Sequence, residues 1–113
     1  MMIIRDHIAL ADLATMAQAQ FGDLVKAVVD VERGVIAVGG ELHSDEEALL
    51  LEDGSAQRNL WGINLYPGIP GEDWLEFDSV INIRPSLGNR SRGVDDAATG
   101  ETIRAVVNRL VSR

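Results

Sequence analysis

Between Ala9 and Phe21, apolar side chains return every three or four positions. Leu10, Leu13, Ala14, Ala17 and Phe21 form one stripe, which predicts a helix over about 9–21. Gly22 follows, a residue that accepts the left-handed backbone of a helix stop. The far end of the chain repeats the pattern: Ile103, Val106, Val107 and Leu110 predict a second helix over about 96–112. Asp95 and Asp96 stand at its start and Arg109 and Arg113 at its end, as the helix dipole favours. Gly100 weakens its first turns by about 1 kcal/mol relative to Ala, so a later start capped by Thr99 is the alternative.

Between the helices the period changes to two. In 25–31, Val25, Ala27, Val29 and Val31 share one face of a strand, and Lys26, Val28 and Asp30 share the other. The turn "ERG" then leads into "VIAVGGELH", which predicts a β-hairpin. In 60–66, Trp61, Ile63 and Leu65 oppose Leu60, Gly62, Asn64 and Tyr66. "PGIPG" at 67–71 is a loop. The clearest alternation runs over 74–84. It sets Leu75, Phe77, Ser79, Ile81 and Ile83 against Trp74, Glu76, Asp78, Val80, Asn82 and Arg84. Segment 44–54 reads two ways. Ser44 and the acids after it suit a helix start, whereas the unbroken run Ala48–Leu51 before Asp53-Gly54 suits a returning strand, and the strand is the expectation taken.

These elements predict an α+β fold with one domain over 1–113: an antiparallel sheet of four to six strands, with the N- and C-terminal helices packed on one face. The other face is expected to be open to solvent, a ligand or a second copy of the chain.

Composition narrows the chemistry. The chain has 113 residues, enough for one core, and a formal charge of −8. That charge argues against nucleic acid and against anionic membrane surfaces as partners. There is no cysteine, which removes disulfides and thiolate chemistry. The N-terminal apolar run is broken by Arg5 and Asp6 and no spanning segment follows, so a cytoplasmic location is expected. The "NRS" sequon at 89–91 is then coincidental.

Against this acidic background, "INIRPSLGNRSRG" at 81–93 holds Arg84, Arg90 and Arg92 with no carboxylate among them. Asparagine is disfavoured in mid-strand, so Asn64 and Asn82 suggest a task, either bonding across strands or orienting a ligand. With the pleat as predicted, Asn64, Asp78, Asn82 and Arg84 lie on the open face, and Asn89, Arg90 and Arg92 extend it into a loop. Guanidinium forks and loop amides suit an anion. The candidate ligand-binding set is therefore Asn64, Asp78, Asn82, Arg84, Asn89, Arg90 and Arg92, and the expected partner is a small anionic ligand or a protein. The plainer account is a solvated face with cross-strand ion pairs, the arginines neutralising the carboxylate-rich stretch 41–78.

Two other patterns carry less. Glu41, His43 and Asp45 would share a strand face, yet a metal site with one histidine is thin, and no metal is assigned. A small hydrolase would use Asp78 or His43 as base with Arg84 as electrostatic stabiliser. There is no GxSxG, HExxH or GxGxxG motif and no cofactor signature, so the enzyme question leans to no. Trp61 and Trp74 read as core and sheet-edge packing.

"VVDVERGVIAVGGELH", "LWGINLYP" and "FDSVINIRPSLGNRSRG" are together similar to the body of a small bacterial domain family of unknown function. The resemblance implies a stand-alone cytoplasmic bacterial protein and brings no activity, cofactor or site residue with it.

Overall fold

The computed structural model describes all residues, 1–113. In chain order the elements are β1 (Met2–Ile4), β2 (Ile8–Ala9), α1 (Leu10–Ala19), β3 (Val25–Asp30), β4 (Val35–Val38), α2 (His43–Glu52), β5 (Leu60–Leu65), β6 (Leu75–Glu76), α3 (Ala97–Leu110) and β7 (Val111–Ser112). Short 3-10 turns cover 57–59, 71–74, 80–82 and 85–87. The main sheet has five antiparallel strands in the order β1-β4-β3-β5-β6, and β2 and β7 form a small parallel pair. No helix is long and apolar enough to cross a membrane.

The predicted α+β class and the single-face packing of the terminal helices both hold. Leu13 and Ala17 of α1 and Ile103, Val106, Val107 and Leu110 of α3 join Val25, Ala27, Val29, Ile63 and Leu65 in one apolar cluster, which also takes in Trp61 and Trp74. The alternation of β3 and β5 is as expected, because Val28 and Leu60 belong to a separate cluster on the opposite face. α3 starts directly after Asp96, whose carboxylate accepts the Thr99 amide, so Gly100 lies inside the helix. At the β3–β4 turn Asp30 is wholly buried. Its Oδ1 accepts the amides of Glu32 and Arg33, and its Oδ2 accepts the Ser55 hydroxyl. Asp30 is therefore a turn anchor and not an open-face group.

Two expectations are corrected. Segment 44–54 is not a strand: residues 43–52 form α2, with Asp45 and Glu46 in its first turn. Its Asp53-Gly54 is a helix stop, in which the amides of Asp53, Gly54 and Ser55 return to the carbonyls of Leu49, Leu51 and Leu50. α2 lies over the second face of the sheet, where Leu50 packs on Val28, Val35, Ala37 and Leu60. The face expected to be open is largely covered by α2.

Segment 74–84 is not a continuous strand either. β6 pairs with β5 only at Leu75 and Glu76, and the chain then leaves the sheet. The reason lies at Gly62 of β5. Its N–H donates to Asn82 Oδ1 at 2.8 Å, and its carbonyl accepts from Asn82 Nδ2 at 2.9 Å. One side-chain amide thus meets the needs of a strand edge that backbone would otherwise meet. Gly62 also lets the arch come close, since a Cβ there would lie 2.5 Å from that of Ser79. Ile83 consequently faces solvent rather than the helices, and Ile81 packs against the α2-side cluster, while Val80 is exposed as its place on the polar face implied.

Candidate functional site

At one end of the sheet face under α2 a polar row meets a cavity that Leu42, Val80 and Ile81 also line. There the register sets Lys26 of β3 opposite Asn64 of β5, and Asn64 opposite Glu76 of β6, a polar row across three strands. Above the row stand the first residues of α2, His43 and Ser44, and beside it runs the arch 78–81 with Arg92. Lys26, His43, Ser44, Asn64, Asp78, Ser79 and Arg92 line a cavity of about 320 Å3, at the small end of the range for ligand sites.

Each polar wall is fixed by a definite bond. Asn64 is buried, and its Nδ2 donates to Glu76 Oε1 at 2.9 Å and to the Asp78 carbonyl at 3.4 Å. Tyr66 adds a hydroxyl bond to the same Glu76 oxygen. His43 is buried with Nε2 at 2.7 Å from the Ile63 carbonyl, so that nitrogen carries the proton and donates it. Burial holds the imidazole below its ordinary pKa, Lys26 and Arg92 push the same way, and the Ile63 carbonyl and Asp78 oppose them. Arg92 Nε donates to Asp78 Oδ1 at 2.6 Å, which leaves its terminal amino groups free. The Arg92 carbonyl is itself held by Ser79 N and Asn82 Nδ2.

The lining thus carries two cations, Lys26 and Arg92, one carboxylate, Asp78, and a neutral imidazole, leaving one net positive charge. The whole chain stands at −8. The first turn of α2 has no side-chain cap, and Asp45 within it offsets the positive end of the helix.

Of the seven residues expected to bind a ligand, this cavity gathers Asn64, Asp78 and Arg92. Asn82 and Asn89 are buried and tie backbone together. Asn89 Nδ2 donates to the carbonyls of Asn82, Ser91 and Gly93, and its Oδ1 accepts the Asp95 amide. Arg84 turns away: its fork donates to the carbonyls of Gln57 and Leu60, and it lies 4.4 Å from the centre of the Trp61 ring. No carboxylate pairs with it. Arg84 instead borders a separate hollow of about 400 Å3 with Val80, Ile83 and Leu87. Its two terminal nitrogens each bond one backbone carbonyl, and Glu47 and Arg58 complete the polar lining of that hollow. Arg90 is exposed, and only its backbone amide is engaged, by Asp95. Of the three arginines of the 81–93 run, Arg92 alone meets the plainer expectation of neutralising the acidic stretch, through Asp78.

Glu41, His43 and Asp45 do not share a strand face; His43 points into the cavity wall and the other two are exposed. Lys26 was absent from the expected set although its signal was available. It is the one lysine of the chain, on the β3 face shared with Asn64.

A family model described as "Protein of unknown function (DUF5674)" matches residues 2–110. No curated protein and no solved structure matches the chain.

Proposed function

We propose a binding function for this chain, which belongs to the DUF5674 family of proteins of unknown function: a module that takes a small anion between Lys26 and Arg92, over Asn64 and beneath the α2 start. The observation that carries this reading is a net positive, partly enclosed cavity in a chain of charge −8, with both cations anchored by neighbours. Lys26 lies 5.3 Å from the Phe21 ring centre and in no ion pair, so its charge is available. A regulatory role would follow if ligand binding altered the arch 78–82, which closes one wall.

The test is isothermal titration of inorganic phosphate and acetate into the wild type, Arg92→Gln and Arg90→Gln. Removing one charge-assisted contact is worth about 1.5–3 kcal/mol, so Arg92→Gln should weaken binding about tenfold or more. Arg90→Gln, outside the cavity, should leave it unchanged. Equal affinities for wild type and Arg92→Gln would refute the reading.

Hydrolysis is the second reading, favoured by one observation: His43 and Asp78 line the same cavity. Against it, Arg84 stands elsewhere and Asp78 is held by Arg92, which leaves His43 Nδ1 as the single unengaged base.

A further inference from the structure

We infer that the hollow beside Arg84 docks a segment of a partner protein that sets a carboxylate next to large apolar side chains. This hollow shares only Val80 and Ile81 with the anion cavity and does not depend on the reading proposed for it. Its rim comes from the arch and the turn after it. Val80, Ile83 and Leu87 are 64%, 42% and 52% exposed, and all three line the one hollow of about 400 Å3 together with Ile81. Single exposed aliphatic side chains are common, but three around one concavity make a contiguous patch. None of the three belongs to either apolar cluster, so packing within the chain does not account for them. The run 79–94 that carries them contains no carboxylate, in a chain of charge −8.

The charge of the partner follows from Arg84. Its guanidinium is half-buried, lies 4.4 Å from the Trp61 ring centre and is in no ion pair. Burial lowers its pKa, with Glu47 acting against that from beyond ion-pair distance. A charge taken partly out of water without a counter-ion is costly, and a carboxylate brought by a partner meets that cost. Each terminal nitrogen gives one hydrogen to a backbone carbonyl, of Gln57 or Leu60, and keeps one uncommitted. Arg58 stands exposed on the same lining and is also in no ion pair. Glu47 is the one carboxylate of the lining, so Arg58 and Arg84 leave it a net positive charge of one. The same patch on a second copy would set like charge against like, whereas an acidic segment is complementary. A free small anion would leave Val80, Ile83 and Leu87 uncovered, so the occupant is a protein segment whose apolar side chains flank its carboxylate.

The experiment titrates three tetrapeptides, acetylated and amidated so that only side chains carry charge, into the 15N-labelled full chain and follows its NMR spectrum. They are Glu-Leu-Leu-Glu, Lys-Leu-Leu-Lys and Glu-Ser-Ser-Glu. The first should move the Ile83, Leu87 and Arg58 signals and bind about tenfold or more tightly than the other two, each of which lacks one half of the match. Leu87→Ser and Arg58→Gln, both at exposed positions, should each weaken it severalfold. Equal binding of the lysine peptide would overturn the carboxylate, and equal binding of the serine peptide would overturn the apolar contact. Shifts confined to Lys26, Asn64 and Arg92 would mean that the carboxylates choose the anion cavity, which overturns the docking site and leaves the binding function standing. Ile83 and Leu87 signals that move with the concentration of the chain alone would assign the patch to a second copy and overturn the partner. Millimolar peptide that moves none of these signals would overturn the inference. Should Leu87→Ser fail to fold, the three wild-type titrations still decide.

Discussion

Replacing Glu46 by glutamine removes a proton-binding group from the wall between α2 and the sheet. Glu46 is wholly buried, three residues after His43 on the same helix. Its Oε2 accepts the Gly40 amide at 3.0 Å, and its Oε1 has no protein partner. Burial pushes its pKa from 4.5 up to about 9, against the smaller pull of the Gly40 amide, Lys26 and the N-terminus. At pH 7 the folded chain therefore carries Glu46 protonated, while the unfolded chain carries it ionised. The sign follows from proton numbers. The folded state binds the extra proton between pH 4.5 and about 9, so stability falls as pH rises through that window and levels off above it. The slope is about 1.4 kcal/mol per pH unit, which makes the penalty about 3 kcal/mol at pH 7. Glutamine keeps the size and the acceptor for Gly40 but does not titrate. Its extra amide hydrogen lacks an acceptor and returns about 1 kcal/mol of the gain. Glu46→Gln should therefore stabilise the protein by about 2 kcal/mol at pH 7. Urea unfolding followed by the fluorescence of Trp61 and Trp74 at pH 5.5, 6.5, 7.5 and 8.5 reads this directly. The stability difference between variant and wild type should widen steadily with pH. A difference that stays constant across the series would refute the argument, because Glu46 would then hold the same proton in both states.

Asn82→Ala removes both bonds to Gly62 and the bond to the Arg92 carbonyl, leaving the Gly62 amide buried without an acceptor. The expected loss is about 3 kcal/mol, with faster hydrogen exchange at Gly62, and a loss below about 1 kcal/mol would contradict the clamp. Asp53 bonds to Arg5 and Arg33, Arg5 having the larger effect, and the two hold its pKa down to about 2 from 3.8. Asp53→Asn should then be less stable than wild type at pH 6. The gap should close as pH falls from about 4 through 2, and acid titrations in which it persists at pH 2 would exclude the linkage.

The strands β3 and β5 were legible because a half-apolar pleat writes itself into alternation: Val25, Ala27 and Val29 face one cluster and Val28 the other. α2 was not, because its sheet-facing side is His43, Glu46 and Leu50, two of them polar. A helix that buries polar groups has almost no apolar stripe, so the run Ala48–Leu51 dominated the pattern. Segment 74–84 failed for a different reason. Its alternation is real, but pairing is decided by the neighbouring edge, and at Gly62 a side chain takes that edge. The oddity of asparagine in an apparent strand was the available signal, and Asn82 in fact clamps the arch to β5 at Gly62.

The same difference explains why the expected residue set is divided between the cavity and the framework around it. Asn82 holds the arch against β5 and bonds the Arg92 carbonyl, and Asn89 ties the loop to Asn82, Ser91 and Gly93 on either side of Arg92. Asn82 and Asn89, expected as ligand contacts, thus serve to set the cavity wall. Gly62 completes the arrangement. Any side chain there would drive Ser79 and His43 outward together, since a Cβ would lie 2.5 Å from the Ser79 Cβ and 3.2 Å from the His43 ring. The cavity width is therefore set from within the sheet, by the residue that has nothing to place in it.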